Sequence, residues 1–194
     1  MTLVGFKSMT IRVLDEEETI TEGKNLFTIK GDERKGATQK ADIKGLSPEV
    51  QKVYGSNIAY YISRKGVGDV TMDTEVIDLP FAVREAILGY VKKGNLGFIG
   101  TESEAPYCSV LLESEDLGGT PVLLGFFKGT FSLDDFNVET RKEKPSDPNA
   151  DKITFTALPG EKGDTDGNYV GYYVGKEESD ITKLKNLLGM VAAG

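Results

Sequence analysis

The sequence has no histidine, no tryptophan and a single cysteine, Cys108, among its 194 residues. Without histidine, the chain has no means of building a Ser-His-Asp triad, an HExxH zinc site or imidazole acid–base chemistry. One cysteine forms no internal disulfide, and the apolar neighbours Val110 and Leu111 predict a small buried side chain at this position. These absences exclude many enzyme classes and constrain the cellular compartment only weakly.

Long hydrophobic runs and an excess of basic residues are also absent. The longest apolar stretch, residues 122–127, is interrupted by Gly125 and is far shorter than the roughly 20 residues of a transmembrane helix. The first nine residues have no basic cluster followed by an apolar core, so we expect neither export nor membrane insertion. With 31 acidic and 23 basic residues, the net charge of -8 opposes tight binding to DNA phosphates.

What the sequence does contain is a set of alternating apolar and polar stretches, typical of β-strands. The clearest is 67–78, which places Val70, Met72, Thr74 and Val76 on one face and Asp69, Thr71, Asp73 and Glu75 on the other. Three carboxylates therefore share the wet side of a half-buried strand. The other predicted strands are 9–14, 26–30, 37–45, 58–64, 107–114, 121–133, 153–158 and 169–174.

Two helices interrupt this pattern. Pro80 suits a first helical turn, and the apolar stripe that follows it, which extends to Val91, predicts a helix ending near Lys92, Lys93 and Gly94. A second helix is predicted at about 179–191, capped by Ser179 or Asp180. Because no regular β–α alternation occurs, we expect one mainly β domain, 1–194: an antiparallel β-sandwich or barrel with a flanking helix and a C-terminal helix.

Connecting segments supply two further expectations. Residues 46–57 contain Pro48, Gly55 and several polar residues, which predicts a long loop of the kind that often carries function. Residues 139–151 are highly charged and contain Pro145 and Pro148, which predicts an exposed loop.

A calcium site is the first chemical motif to consider. Asp164, Asp166 and Asn168 have the spacing of the first EF-hand ligands. However, Tyr169 and Gly175 stand where that loop needs glycine and a bidentate glutamate, so we interpret the segment as a polar turn.

Nucleotide and catalytic motifs are equally incomplete. Gly94, Gly97 and Gly100 match neither GxGxxG nor GxxxxGK[ST] and are interpreted as turn residues. The carboxylates at 113, 115 and 116 lie near a predicted hairpin, where charged residues are usually solvated. The sequence therefore predicts no catalytic residues, no metal and no cofactor.

Three stretches, spanning about 36–157, carry a family pattern. They are GATQKADIKGLSPEVQKVYGSNIAYYISRKG, then the acidic strand with VIDLPFAVREAILGY, and LLESEDLGGTPVLLGFFKGTFSLDDFNVETRKEK. The most specific part is the GFFKGTF run at 125–131, followed by acidic residues and by TFTA at 154–157. This pattern resembles the phi13-type major tail proteins of siphophages.

The resemblance implies a structural protein and not an enzyme. It would be a tail-tube-like β-sandwich that assembles with itself into hexameric rings, stacked as a hollow conduit through which double-stranded DNA passes during ejection. Other tail proteins, such as the tape measure and the tail terminator, would be partners. The implied location is the virion tail, after assembly in the cytoplasm of the host bacterium.

Two groups of residues acquire roles from this resemblance. Asp69, Asp73 and Glu75 are expected to face the lumen, because carboxylates repel phosphate and avoid the adhesion that lysine or arginine would cause. An N-terminal arm of about 1–10 and an inter-subunit loop are expected to lock neighbouring subunits. We expect residues 1–8 of the arm and the C-terminal helix to be ordered chiefly by those neighbours. The loop residues are Leu46, Ser47, Pro48, Glu49, Val50, Gln51, Lys52, Val53, Tyr54 and Gly55.

Two alternative functions remain open at this point. One is a tube subunit of a secretion apparatus or of a phage-derived particle, which shares the same architecture. The other is a monomeric β-sandwich that binds carbohydrate through exposed aromatic side chains. The lack of tryptophan counts against the second, although the pairs Tyr60–Tyr61 and Tyr172–Tyr173 leave it available.

Overall fold

The computed structural model describes residues 2–14, 19–48, 50, 52–62, 65–133, 135–136 and 150–191. Its helices are α1 (Phe81–Leu88) and α2 (Glu178–Leu187), and a 3-10 turn spans Gly163–Thr165. The strands are β1 (Leu3–Val13), β2 (Leu26–Ile29), β3 (Ala37–Lys44), β4 (Lys52–Gly55), β5 (Ile58–Ile62), β6 (Thr71–Ile77), β7 (Val91–Lys93), β8 (Leu96–Phe98), β9 (Cys108–Asp116), β10 (Pro121–Ser132), β11 (Asp151–Leu158) and β12 (Val170–Val174).

One large antiparallel sheet dominates the fold. Its strand order is β2-β1-β9-β10-β11-β6-β3, and β12 pairs with the first half of β10. The sheet curls on itself, since the Thr38 hydroxyl of β3 donates a hydrogen bond of 3.2 Å to the Phe6 carbonyl of β1. The predicted mainly β fold with two flanking helices is confirmed.

The main core lies inside this curled sheet, where alternate residues of each strand point inward. Met72 and Val76 of β6 are fully buried, and the rings of Phe126 and Phe155 meet edge to face with centroids 5.7 Å apart. Ile87 of α1 packs into the same cluster. Each of these large side chains contributes about 1.5–3 kcal/mol by leaving water.

A second apolar cluster holds α2 against the other side of the sheet. Leu184 and Leu188 pack there with Leu111, Leu123 and Phe127. Gly125 and Gly171 leave room for them: a Cβ at Gly125 would lie 2.8 Å from Leu188 Cδ1.

The end of α2 is also bonded to the sheet. Ser109 Oγ donates a 2.6 Å hydrogen bond to the Leu188 carbonyl, and Arg12 Nε donates to the Gly189 carbonyl at 3.3 Å. The helix is thus packed on and bonded to its own subunit, and its further ordering by neighbouring subunits stays a prediction. Its N-cap is Glu177, which makes no side-chain cap hydrogen bond to a described residue, so Ser179 and Asp180 lie inside the first turn and are not caps.

The predicted N-terminal arm is part of the sheet. Residues 3–10 belong to β1, in which Leu3 pairs with Asp116 and Ser8 with Glu113 of β9. A register shift between Val4 and Ser8 separates the two paired parts of the strand. The described part of the arm is therefore paired with β9 at Leu3 and Val4 and again from Ser8 onward.

The first helix is shorter than the apolar stripe predicts. It ends at Leu88 because Gly89 adopts a left-handed conformation with φ of 64° and closes the helix by donating its N–H to the Glu85 carbonyl. Val91 continues the helical spacing in the sequence, but it begins β7 and pairs with Phe98 of β8.

Replacing Gly89 by alanine should destabilise the fold strongly. A Cβ there would overlap the Glu104 carbonyl, in addition to straining a positive φ. We expect a loss of at least about 3 kcal/mol in the free energy of unfolding, measured by urea denaturation.

Gly94→Ala is the matched control for that substitution. Gly94 has a φ of 65°, but a Cβ added to it would meet no atom of the described residues within 4 Å. Only the backbone strain of about 1 kcal/mol should therefore appear. Equal losses for the two variants would contradict the packing role of Gly89.

Candidate functional site

A polar face covers the outward side of β3, β6 and β11, continuing onto the end of β10. The strand registers align its residues in rows across the sheet. We call this surface the polar face; its residues are Lys40, Asp42, Lys44, Thr71, Asp73, Glu75, Thr130, Ser132, Lys152, Thr154 and Thr156. Hydroxyl groups and charged groups are thus mixed on one surface.

Asp73 lies at the centre of the polar face. Lys44 Nζ is 2.6 Å from its Oδ2, and Thr154 Oγ1 donates a 2.9 Å hydrogen bond to its Oδ1. These two hydrogen bonds, that of Lys44 first, lower the pKa of Asp73 below its ordinary value, and the same contact raises the pKa of Lys44. Asp73 therefore stays ionised at neutral pH, paired with a cation.

The other charges of the polar face are paired in the same way. Lys40 Nζ lies 2.5 Å from Asp42 Oδ2, and Lys152 Nζ lies 3.6 Å from Glu75 Oε1. Asp42 stands directly opposite Asp73 across the β3–β6 pair, an arrangement that would be repulsive without the neighbouring lysines. The polar face consequently carries as many lysines as carboxylates.

The three predicted lumen residues are only partly brought together. Asp73 and Glu75 share the outward side of β6, and Met72, Thr74 and Val76 are buried on the other side, so this alternation is confirmed. Asp69 is exposed but precedes the strand. Whether these carboxylates face a lumen stays a prediction.

Sequence reasoning missed the lysines that neutralise this face. Lys40 and Lys44 fall on the polar side of the predicted strand 37–45, but nothing local in the sequence indicates that β3 lies beside β6. Lys152 falls between the predicted loop 139–151 and the predicted strand 153–158, and the structure places it in β11.

A second candidate site is the hairpin of β4 and β5, which corrects the predicted loop. The positive φ angles of Ser56 and Asn57, 51° and 65°, allow a tight turn between the two strands. Of the predicted loop residues, Glu49 and Gln51 lie outside the described residues, and Lys52, Val53, Tyr54 and Gly55 form β4. The segment is therefore a hairpin instead of an irregular loop.

Large apolar side chains of this hairpin are exposed on both of its faces. Tyr60 is 81% and Tyr54 68% solvent-exposed, and Val53, Ile58, Tyr61 and Ile62 are exposed as well. A two-stranded hairpin is marginally stable alone in water, and this one buries little against its own subunit. Its base is fixed by a 2.9 Å hydrogen bond from Gly68 N–H to the Gly45 carbonyl.

A further exposed apolar surface surrounds α1. We call it the α1 surface; it consists of Phe81, Leu96, Phe98, Ile99 and Phe136, all of them exposed. Arg84 lies beneath the rings of Phe81 and Phe136, with its guanidinium carbon 5.3 Å and 4.9 Å from their centroids.

The guanidinium of Arg84 has hydrogen-bond partners among the described residues for only part of its N–H groups. Its Nη2 pairs with Asp151 Oδ1 at 2.8 Å, whereas its buried Nε and Nη1 have no hydrogen-bond partner among the described residues. A buried N–H group without an acceptor costs about 1–3 kcal/mol. No signal in the sequence marks this site, because the arginine stands within an amphipathic helical stripe where an exposed side chain is the ordinary expectation.

The remaining chemical candidates have structural roles. Asn168 Nδ2 donates to the Asp164 and Asp166 carbonyls, as expected for a polar turn. Burial raises the pKa of the Cys108 thiol to about 12, so it is protonated and unreactive. Asp116 accepts the N–H groups of Thr120 and Gly118, which lowers its pKa and fixes the predicted β9–β10 turn.

Glu113 and Glu115, the other two carboxylates near the β9–β10 turn, are paired with lysines. Lys7 Nζ lies 2.6 Å from Glu115 Oε2, and Lys185 Nζ lies 3.6 Å from Glu113 Oε1.

No cluster of three or more metal-ligating side chains occurs within the part of the chain that the structure describes. Within the same part, no helix has the length and apolarity to cross a membrane.

Comparison with known proteins gives one assignment. The family model described as phage tail tube protein matches residues 1–188. Searches of the curated proteins and of the solved structures found no match. Because the matched region includes every strand and both helices described above, the chain belongs to the phage tail tube protein family, a family of structural proteins of the virion tail.

Proposed function

We propose that this tail tube protein assembles into rings that stack as a hollow conduit, through which the phage genome leaves the virion. The observation that carries the proposal is the β4–β5 hairpin, which exposes apolar side chains on both faces. An isolated hairpin of this kind gains stability when a second subunit covers it. Residues 46–55 then contribute to contacts between subunits.

Strand edges at the ends of the main sheet support the same arrangement. Among the described residues, β2 and β3 end the main sheet, and β12 pairs on one side with β10. Exposed strand edges are templates for pairing with another chain, and a closed ring of subunits satisfies them. We further propose that the rings are hexameric and that the tape measure and the tail terminator are additional partners. Assembly then takes place in the host cytoplasm.

The polar face is our candidate for the channel wall, with Asp73 and Glu75 facing the lumen and Asp69 beside them. Because its carboxylates are paired with lysines, the wall would not act by repulsion alone. A wall with balanced charges and many hydroxyl groups has little net field, so it neither binds phosphate by counterion release nor repels it strongly. DNA is then able to slide without adhering.

Electron microscopy of the concentrated, negatively stained protein tests the proposal. We expect rings or tubes with an open lumen, whose abundance rises steeply with protein concentration. A strictly monomeric protein at every concentration, under conditions where it remains folded, would contradict assembly by this chain alone.

A further inference from the structure

The apolar cluster that holds α2 is separate from the main core. It lies on the other side of the sheet and consists of Leu111, Leu123, Phe127, Leu184, Leu188 and Met190. Neighbouring residues of β9 divide between the two, since Leu111 packs with α2 whereas Val110 and Leu112 belong to the main core. Loss of the contacts with α2 therefore leaves the packing inside the curled sheet in place.

The sheet provides α2 with a shaped seat. Gly125 of β10 and Gly171 of β12 are direct partners across the two strands. A Cβ added at these positions would lie 3.4 Å and 3.3 Å from Leu184 Cδ1. Leu184 thus occupies a depression that the paired glycines form.

A polar latch holds the end of α2. Ser109 of β9 and Arg12 of β1 are paired across their strands. They donate hydrogen bonds to the carbonyls of Leu188 and Gly189, and Ser109 is fully buried. Because the last carbonyls of a helix have no donor within the helix, these two side chains satisfy groups that need one.

A short tether fixes the other end of α2. Residues 175–177 connect it to β12, and Gly175 N–H donates a 3.0 Å hydrogen bond to the Pro121 carbonyl of β10. The φ of Gly175 is 153°, and a Cβ there would lie 2.5 Å from Tyr173 Oη. The same hydroxyl oxygen accepts the Glu177 N–H at 3.1 Å. The chain therefore reverses at an anchored point, about which α2 is able to swing.

The short length of α2 makes its structure depend on this docking. The helix has 10 residues, and its N-cap residue makes no side-chain cap hydrogen bond to a described residue. Isolated helices shorter than about 12–15 residues are marginal in water. We therefore expect α2 to lose its helical structure when it leaves the sheet, so that docking and helix formation are one cooperative step.

We propose that α2 is a strap that opens and closes as one unit, hinged at residues 175–177 and latched at Ser109 and Arg12, while the main core stays folded. Opening exposes the apolar strip of Leu111, Leu123 and Phe127. The closed strap is thus the cover that keeps this strip out of water. This inference concerns the single subunit and does not rest on the proposed tube function.

Hydrogen exchange of the unassembled protein tests the strap. Partial openings of this kind cost less free energy than global unfolding, so the amides they expose exchange sooner. We expect the protected amides of α2 to exchange at closely similar rates, at least about 100-fold faster than the slowest amides of β9 and β10. Equal protection of α2 and of these strands would overturn the proposal.

A matched pair of variants separates strap opening from global unfolding. Ser109→Ala removes the latch bond of the closed state, so exchange along the whole of α2 should rise at least about fivefold. Ile153→Val weakens only the main core, so it should accelerate β9 and β10 by about fivefold and leave α2 unchanged. Acceleration of α2 by both variants, or an effect of Ser109→Ala confined to the last helical turn, would contradict a strap that opens as one unit.

Thiol labelling gives an independent measurement. Native Cys108 is fully buried in the main core, and Leu184→Cys places a second thiol between α2 and the sheet. In native buffer we expect the introduced thiol to react with a soluble disulfide reagent at least about 100-fold faster than Cys108. Equal rates for the two thiols would mean that both become accessible only in the same unfolding event, and the strap would be ruled out.

Discussion

Replacement of residues 46–67 by a short Gly-Ser linker is expected to abolish tube formation and to leave a folded monomer. The hairpin is exposed on both faces, so its removal takes away few contacts from the subunit core. Gly45 and Gly68 are already joined by a hydrogen bond, so a short linker closes the gap without moving β3 or β6. The excised segment includes β4, its turn and β5.

The free energy of unfolding should then change by less than about 1 kcal/mol, because shortening a surface loop has a small entropic effect. The protein concentration required for assembly should rise by at least about 100-fold, which corresponds to a loss of roughly 2.7 kcal/mol in the free energy of association. Urea denaturation and sedimentation give the two quantities separately. A control with Leu117→Ser in the β9–β10 turn should assemble normally.

Normal polymerisation of the hairpin-less chain would remove the hairpin from the assembly contacts. Loss of the folded state would show instead that the hairpin supports β3 and β6 within the subunit. The two results are distinguished by the unfolding curve of the unassembled protein.

The second large effect concerns the channel wall. Reversal of Asp69, Asp73 and Glu75 to lysine should convert the balanced polar face into a cationic one, since Lys44 and Lys152 then lose their carboxylate partners. Stacked rings of these subunits would bind DNA phosphates and release counterions. Tubes should still assemble, because exposed ion pairs contribute only about 0–1 kcal/mol each.

Genome ejection from phage that carry the three substitutions is the measurement. At low salt we expect ejection to slow by at least about tenfold, and moderate salt should relieve part of the defect by screening. A control with the same change in charge uses Glu22→Lys, Glu33→Lys and Asp164→Lys, all at exposed positions outside the polar face. Equal ejection rates for both phages at low salt would contradict the assignment of the polar face to the lumen.

Local patterns in the sequence identify the strands well. The alternation in 67–78 correctly separates Met72, Thr74 and Val76 from Asp73 and Glu75, because a half-buried strand imposes a period of two on its side chains. The Asp116 turn is equally readable, since its side chain bonds the N–H groups that follow it. These features depend on residues close together in the chain.

Local patterns do not predict which strands pair when those strands are distant in the chain. The acidic character expected of the wall depends on carboxylates of one strand, whereas the partner of Asp73, Lys44, comes from a strand 29 residues earlier in the chain. The prediction of a loop at 46–57 is wrong for β4 because it weighs Pro48 and Gly55 above Val53 and Tyr54. Asn57, which adopts the left-handed conformation of the hairpin turn, is the signal that indicates the hairpin.

Helix ends are misplaced for a related reason. Val91 continues the helical spacing of Ile87 and Leu88, but the left-handed Gly89 ends the helix first and lies against the backbone at Glu104. Arg84 escapes prediction because its burial depends on Phe136 and Asp151, which are distant in sequence. A single sequence does not show that such distant residues lie close together in the fold.

An electron cryomicroscopy map of the assembled tube tests the central claim most directly. We expect stacked rings with an open lumen, the outward side of β6 with Asp73 and Glu75 lining that lumen, and the β4–β5 hairpin buried between subunits. A map that places this side of β6 on the outer surface of the tube, or leaves the hairpin exposed to solvent, would contradict it.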